Sequence, residues 1–381
     1  MFKIVNAYYE PIDIFDKIGE NKSELSNKEL GFICGLIKEM RPKKIVEIGV
    51  SAGGTSCVIL NCLDKLQLNS KFYSVDISYT YHFNKSKKCG YQVESATKYL
   101  NNLESYKLFL GKNIAEVIET EIGYGIDMLI LDTIHYLPGE LLDFLVCFPY
   151  MSQNAVLVLD DLTFAHSGEN TNAIATKVLY DLIVGDKIFL KDDNKYPKLG
   201  GVLFNEDTQK YERDYFLGLS LPWWYELQEK DAENYRKIIE QHYEIDELFL
   251  YDKAVNINKN TLIKKKNIKI EIEKLICICH NENKIFIYGA GQRGRALGIF
   301  LEERTKVHIE YIISDDRCKS EFDVNVHYLS DIVRDKCNCP IFVAVADDEV
   351  RINLKNSNIN YIDVPNYIFP FIKEYVEMLL R

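Results

Sequence analysis

The stretch that most constrains the fold of this chain runs from Arg41 to Thr55, RPKKIVEIGVSAGGT. Its apolar part, Lys44–Val50, is typical of a buried strand, and the residues that follow, TSCVILNCLDKL, are typical of a helix. The Gly-rich turn between them could be an ordinary strand-to-helix connection. It could also bind a ligand, because glycines such as Gly49 and Gly53 let a backbone approach closely, and N–H groups at a helix start attract anionic groups.

Strands and helices are predicted to alternate beyond this turn. Apolar β segments are expected at about Lys44–Val50, Lys71–Ile77, Tyr106–Lys112, Ile126–Thr133 and Ala155–Leu162. Helices are predicted over Asn27–Met40 and Asn172–Gly185, and a further β pair over Lys187–Lys191 and Gly200–Phe204. This alternation predicts a doubly wound, parallel α/β sheet with right-handed crossovers and seven strands, within a domain of residues 1–220.

A second Gly-rich turn, from Gly289 to Gly294 (GAGQRG), also lies between a strand and a helix. The next strands are predicted at His308–Ile313 and Pro340–Ala346, and Asp315-Asp316 stands where a dinucleotide fold places its ribose-binding carboxylate. Residues 281–381 are too few for a full dinucleotide fold plus a substrate domain. We therefore expect a second, smaller Rossmann-like α/β domain that binds a nucleotide or is structural, after a helical connector and linker over 221–280.

Composition excludes several classes of protein. The chain has 381 residues, of which 47% are hydrophobic, as in a soluble protein with two buried cores. The net charge of −11 argues against a nucleic-acid partner. No membrane span or signal peptide is expected, so we predict a cytoplasmic protein.

The ten cysteines are scattered through the sequence, which favours reduced thiols over disulfides. Two close pairs, Cys277 with Cys279 and Cys337 with Cys339, lack the spacing of common zinc sites.

Polar residues follow three of the predicted strands. Asp76 could accept both hydroxyl hydrogens of a ribose, or could cap a helix. Asp132 and His135 follow the fourth strand, and Asp160-Asp161 follow the fifth. Carboxylates at one sheet edge suit Mg²⁺ or another divalent ion, which would lower the pKa of a bound hydroxyl so that His135 could take its proton. The alternative is that these residues cap turns and that His135 is structural.

The motifs VEIGVSAGGT, VDIS, LDTIH and VLVLDDL, in this order, resemble those of class I S-adenosylmethionine (SAM)-dependent methyltransferases. More narrowly, they are similar to the metal-dependent macrocin- and mycinamicin-type O-methyltransferases and the cephalosporin-hydroxylase-like group. In that group an Asp with a His three residues later ends strand four, and an acidic pair ends strand five. The resemblance covers about residues 30–205.

The resemblance implies a role for each matched residue. Glu47, Gly49, Gly53 and Asp132 would line the cofactor site, with Ser51 and Thr55 from the same turn, and Asp76 would hold the ribose. The metal would be bound by Asp132, Asp160 and Asp161, with His135 and Asp132 as catalytic residues. Two departures stand out: many methyltransferases have a glycine in place of Ser51, and Gly111–Asn113 replaces a more acidic turn that contacts adenine.

The implied function is SAM-dependent O-methyl transfer to a small polar acceptor, a sugar or a nucleotide- or phosphate-linked molecule, in glycan or secondary-metabolite biosynthesis. The second Gly-rich unit resembles small Rossmann-like domains of sugar-modifying enzymes. Two alternatives stay open: an NAD(P)-dependent oxidoreductase that uses Gly289–Gly294, and a non-catalytic nucleotide-sugar-binding scaffold. The oligomeric state is open, a homo-oligomer included. Trp223, Trp224, Tyr225 and the Phe164–Asn170 loop either cover the pocket or belong to the core.

Overall fold

The computed structural model describes residues 7–10, 13–19, 23–101, 103–167, 171–190, 198–315, 317–321, 324–335, 339–345 and 348–379. The chain divides into two compact units, Met1–Lys259 and Asn260–Arg381. The predicted domain boundaries at residues 220 and 280 stay a prediction.

The first unit is built on a seven-stranded sheet of order β3-β2-β1-β4-β5-β7-β6. Its strands are β1 (Lys44–Ile48), β2 (Lys71–Asp76), β3 (Tyr106–Leu110), β4 (Ile126–Leu131), β5 (Met151–Leu159), β6 (Asp186–Phe189) and β7 (Gly200–Leu203). All of them run parallel except β7, which is antiparallel to both neighbours. The predicted fold class is confirmed.

Helices cover both faces of this sheet. The helices of this unit are α1 (Ile14–Ile18), α2 (Asn27–Met40), α3 (Gly54–Lys65), α4 (Tyr91–Ala96), α5 (Gly139–Cys147), α6 (Ala175–Leu182), α7 (Glu206–Lys210), α8 (Glu212–Tyr215), α9 (Glu229–His242) and the part of α10 (Ile245–His280) up to Lys259. Along β4, Leu129 belongs to the apolar cluster on one face and Met128 to the cluster on the other. Side chains that alternate between two cores explain why the strands are continuous apolar runs.

Several element boundaries differ from the prediction. Helix α2 has the predicted bounds, because Ser26 and Glu29 form a capping box at its start. Strand β5 begins at Met151 rather than Ala155, in a polar segment where Ser152 Oγ donates to Asp127 at 2.8 Å.

The Asn/Lys-rich stretch at 256–269, expected to be a linker, is part of helix α10. Ion pairs one turn apart, such as Lys269–Glu273 at 3.8 Å, suit an exposed helix there.

The second unit contains five parallel strands in the order β10-β9-β8-β11-β12. Its elements are β8 (Lys284–Tyr288), α11 (Gln292–Thr305), β9 (His308–Ile313), β10 (Val326–Tyr328), α12 (Leu329–Arg334), β11 (Ile341–Val343), α13 (Asp348–Asn356), β12 (Tyr361–Asp363) and α14 (Phe369–Leu379). The predicted smaller α/β domain is therefore present. Strands β10 and β12 escaped prediction because each has only three residues, one of them polar, whereas the equally short β11 lies in an apolar run.

Some predictions concern residues outside the described ranges: Lys191, Asp316, Cys337, Ala346 and the end of the 164–170 loop. None of the nine cysteines within those ranges forms a disulfide bond. Every helix in the described part of the chain is too short or too polar to cross a membrane.

Candidate active site

The Gly-rich turn after β1 packs directly against the end of β4. Gly49 has a φ of 93°, and a Cβ built there would lie 1.7 Å from the carbonyl oxygen of Asp132. The Asp132 N–H in turn donates to the Ile48 carbonyl at 3.0 Å. Only glycine allows this approach, so Gly49 brings the turn and Asp132 together.

A small cavity opens above this turn. Its lining includes four residues predicted to contact the cofactor, Gly49, Ser51, Thr55 and Asp132. Gly53 is not in the lining; it precedes α3 with a φ of 89°, packed against Gly90.

The segment before α2 closes one side of the cavity. Ser23 Oγ lies 2.8 Å from Thr55 Oγ1, and the Ser51 hydroxyl donates to Glu24. Ser23 and Glu24 both line the cavity. Sequence reasoning missed them, since nothing in the local pattern indicates which upstream loop folds back over the turn.

Glu47 lies beneath the cavity rather than in its lining. Its side chain is buried, and Oε2 accepts hydrogen bonds from Ser56 Oγ at 2.5 Å and Ser74 Oγ at 2.7 Å. Burial raises the pKa of Glu47 to about 7, against the opposing effect of the two hydroxyl donors.

Asp76 ties the end of β2 to the Gly-rich turn. Its Oδ2 accepts the N–H groups of Val50 at 3.0 Å and Ser51 at 3.2 Å, and its Oδ1 accepts the Ser78 N–H at 2.8 Å. Each carboxylate oxygen has further acceptor capacity. Asp76 therefore shapes the turn and can still accept a hydroxyl hydrogen of a ligand.

His135 is buried among three carboxylates at the end of β4. Its Nε2 lies 3.3 Å from Asp161 Oδ2 and 3.9 Å from Asp132 Oδ1, and its Nδ1 lies 3.3 Å from Glu140 Oε1. Burial opposes the charged imidazole, but the carboxylates outweigh it and raise the pKa of His135 to about 9. Burial raises the pKa of Asp132 to about 7, although His135 opposes the shift.

Glu140 is a site residue that sequence reasoning missed. It is fully buried in the first turn of α5, where Oε1 accepts the His135 N–H and the Thr133 hydroxyl, each at 2.7 Å. It therefore holds the turn that carries His135. The available signal was an acidic residue close after the histidine, at the start of the apolar segment between the fourth and fifth predicted strands.

Two of the predicted metal ligands, Asp160 and Asp161, lie close to basic side chains of the protein. Asp161 faces His135 through Oδ2 and the Lys198 ammonium through Oδ1 at 3.1 Å, and Asp160 Oδ2 lies 4.0 Å from the same nitrogen. Asp160 Oδ1 and Asp161 Oδ1 are both buried without a hydrogen-bond donor in the described ranges, although Asp161 Oδ1 is within ion-pair distance of Lys198.

Within the described ranges no three Asp, Glu, His or Cys side chains are arranged to hold a metal ion. The predicted magnesium site is therefore not supported by this donor set. Burial raises the pKa of Asp160 well above its usual range, although the Lys198 charge opposes the shift.

Backbone strain is concentrated at this edge of the sheet. Ser51, His135 and Asp161 have φ values of 52°, 60° and 53°. Such conformations are costly for residues other than glycine and tend to persist at functional sites.

The aromatic residues near the site divide into core and surface. Trp223 is buried, whereas Trp224 is 52% exposed and stacks on Tyr136 with ring centroids 5.4 Å apart. Phe164 contacts the edge of the His135 ring at a centroid distance of 5.7 Å. Trp223 therefore belongs to the core, while Trp224 and Phe164 are available to a ligand site.

The Gly-rich turn of the second unit also lines a pocket, with Gly289, Gly291, Arg293 and Val345 among its residues. Asp315, the predicted ribose contact, instead accepts hydrogen bonds from the Ser330 N–H at 3.3 Å and hydroxyl at 2.5 Å.

Residues 46–162 match the family model of a methyltransferase domain. The match runs from β1 to just past β5 and includes all the predicted site residues. It supports the predicted enzyme class, a SAM-dependent methyltransferase.

Solved structures of O-methyltransferases are similar to part of the chain. TomG from Streptomyces achromogenes, solved in complex with SAM, is 11% identical, with 54% of this chain and 91% of that chain covered and a TM-score of 0.37. An O-methyltransferase from Bacillus cereus in complex with SAH is 12% identical, with 51% and 89% covered and a TM-score of 0.37. No match was found among curated proteins.

Proposed function

We propose that the first unit transfers a methyl group from SAM to a hydroxyl oxygen of a small polar acceptor. The observation that carries this proposal is the position of Asp132. It lines the cavity beside the Gly-rich turn, and its carboxylate lies 3.9 Å from His135 Nε2. One residue thus joins the cofactor cavity to the group proposed to take the proton.

In the proposed reaction the acceptor oxygen attacks the methyl carbon as the carbon–sulfur bond breaks, and S-adenosylhomocysteine (SAH) leaves. SAM supplies the electrophilic methyl group. Gly49, Ser51 and Thr55 would hold its methionine part, and Asp76 would accept a ribose hydroxyl hydrogen. The Asp132–His135 pair would take the proton of the acceptor hydroxyl, because both groups lie at the same sheet edge as the cavity.

The pKa of His135 predicts how the rate of methyl transfer depends on pH. A base must be deprotonated to act, and the pKa of His135 lies at about 9. We therefore expect the rate to rise with pH up to about 9. Orientation of the acceptor beside the methyl group would supply much of the remaining acceleration.

A sugar ring is the acceptor that we favour. The support is the exposed face of Trp224, stacked on Tyr136, which directly follows His135 in the chain. The flat apolar face of an aromatic ring suits the C–H face of a sugar, and the buried carboxylates suit its hydroxyls.

The test is SAH formation from SAM with a panel of sugars, sugar phosphates and nucleotide sugars. The variant His135→Asn should keep SAH affinity and lower the rate by about 10²- to 10⁴-fold. Asn is chosen because it tolerates the positive φ at this position. The matched control His82→Asn, at an exposed residue, should retain the full rate. An unchanged rate in His135→Asn would refute the assigned base.

A further inference from the structure

The backbone of Lys198 is held in place by the pairing of strands β5 and β7. Strand β7 pairs antiparallel with β5, with Gly200 opposite Leu159. Lys198 precedes β7 by two residues, and Asp161 follows β5 by two residues. The Leu162 N–H donates to the Lys198 carbonyl at 2.8 Å, which extends the pairing past the strand ends.

The Lys198 ammonium lies among three carboxylates, two that directly follow β5 and one from helix α2. It is 3.1 Å from Asp161 Oδ1, 4.0 Å from Asp160 Oδ2 and 3.9 Å from Glu29 Oε1. The Asp160 and Glu29 side chains are buried, so their charges are poorly screened by water. A cation at this place offsets repulsion that would otherwise oppose folding of the edge.

Both oxygens of Asp161 are matched with cations. Oδ1 faces Lys198, and Oδ2 faces His135 Nε2 at 3.3 Å. A divalent ion bound to Asp161 would have to displace one of these groups, and it would lie next to the other positive charge. Two of the three predicted metal ligands, Asp160 and Asp161, thus face a lysine.

We infer that the Lys198 ammonium takes the place of a divalent metal among these carboxylates. The first unit then binds its cofactor and orients Asp161 toward His135 without such an ion. This inference rests on the proposed function. Lys198 is a positioning residue, because it acts through Asp161 on the side chain proposed to take the proton.

The experiment titrates Mn²⁺ into chelator-treated full-length protein and follows the free ion by electron paramagnetic resonance. Wild type and Lys198→Arg should show only weak Mn²⁺ binding, which Asp160→Asn leaves unchanged. Lys198→Met removes the opposing charge and should raise the affinity for Mn²⁺ at least about tenfold. Adding Asp160→Asn to Lys198→Met should abolish the gain. Lys177→Met, which removes an exposed lysine paired with Asp181, is the control and should match wild type.

A parallel calorimetric titration of SAH compares wild type in EDTA with wild type in MgCl₂, and equal affinities are expected. Wild-type Mn²⁺ binding that Asp160→Asn abolishes would overturn the inference, as would SAH binding that requires the metal. If Lys198→Met does not fold, the wild-type and Lys198→Arg titrations still test whether this site binds a divalent ion. A complete lack of SAH binding would refute the proposed function instead, and the Mn²⁺ titrations would still test Lys198.

Discussion

The two Gly-rich turns of this protein make the same backbone hydrogen bonds but are surrounded by different side chains. In the first unit the Gly49 N–H donates to Val75 and the Asp132 N–H to Ile48, while in the second the Gly289 N–H donates to Ile312. The Ala344 N–H of the second unit donates to Tyr288. These bonds align the two turns residue by residue.

In this alignment three carboxylates around the first turn correspond to apolar residues around the second. Glu47, Asp76 and Asp132 correspond to Ile287, Ile313 and Ala344, all of which are buried. The acidic residue nearest to the equivalent place in the second unit, Asp315, is bonded to Ser330. A glycine motif therefore indicates a close backbone turn, whereas the residues that contact that turn determine what it can bind.

This difference weakens the alternative of an oxidoreductase centred on the second turn. A dinucleotide site needs an acceptor for the ribose hydroxyls at the end of the second strand. The first turn has Asp76 at that place, and the second has Ile313. The second turn still lines a pocket, so nucleotide binding by the second unit stays a separate proposal.

The largest contrast is expected from glycine substitutions in the two turns. Gly49→Ala combines a strained φ with a clash against Asp132, so we expect loss of SAH binding and at least about 1–3 kcal/mol less stability. Gly291→Ala, in the second turn, meets no atom within 4 Å and should be tolerated. Calorimetry and urea unfolding measure both effects. Equal behaviour of the two variants would refute the contrast.

A smaller effect is expected from the carboxylate beneath the first turn. The pKa of Glu47 is about 7 in the folded protein, above its ordinary value of 4.5, so the folded state holds the proton more tightly. The free energy of unfolding should therefore fall as pH rises from 4.5 to 7. Between pH 5 and 8 this loss should be about 2 kcal/mol, and Glu47→Gln should remove it.

Urea unfolding across this pH range measures the Glu47 effect. Glu39→Gln, at an exposed position of α2, is the control and should follow the wild-type curve. A Glu47→Gln curve parallel to wild type would show that the buried carboxylate does not change its proton affinity on folding.

The smallest expected effect concerns Glu140. Glu140→Gln keeps the oxygen that accepts the His135 N–H but removes a negative charge 3.3 Å from Nδ1. Loss of an opposite charge should lower the pKa of His135, by about one unit. NMR titration of labelled histidine measures the shift in the pKa of His135. The pH range over which the methyl-transfer rate rises should move to lower pH by the same amount. A pKa that stays at about 9 would contradict the arrangement described here.

Much of the fold could be predicted because its signals are local. Continuous apolar runs mark β1, β2 and β4, and Ser26 with Glu29 marks the start of α2. The short strands β10 and β12, each with a polar residue, and the polar start of β5 have no such signal. The helical state of 256–269 depends on charge pairs along α10 that composition alone does not distinguish from a linker.

The candidate site could be predicted only in part. Asp132, His135, Asp160 and Asp161 all follow strand ends, so the parallel sheet brings them to one edge. Lys198 is distant in sequence, and its place there depends on how β7 pairs with β5. That pairing depends on tertiary structure, which is why the sequence alone favoured a metal where the structure has a lysine.

If the first Gly-rich turn holds SAM, calorimetric titration of SAH into the 381-residue chain should show one SAH bound per chain. This binding should be unchanged by EDTA, retained in Gly291→Ala and lost in Gly49→Ala. Absence of SAH binding to wild type, or binding that Gly49→Ala leaves intact, would contradict a SAM site at this turn.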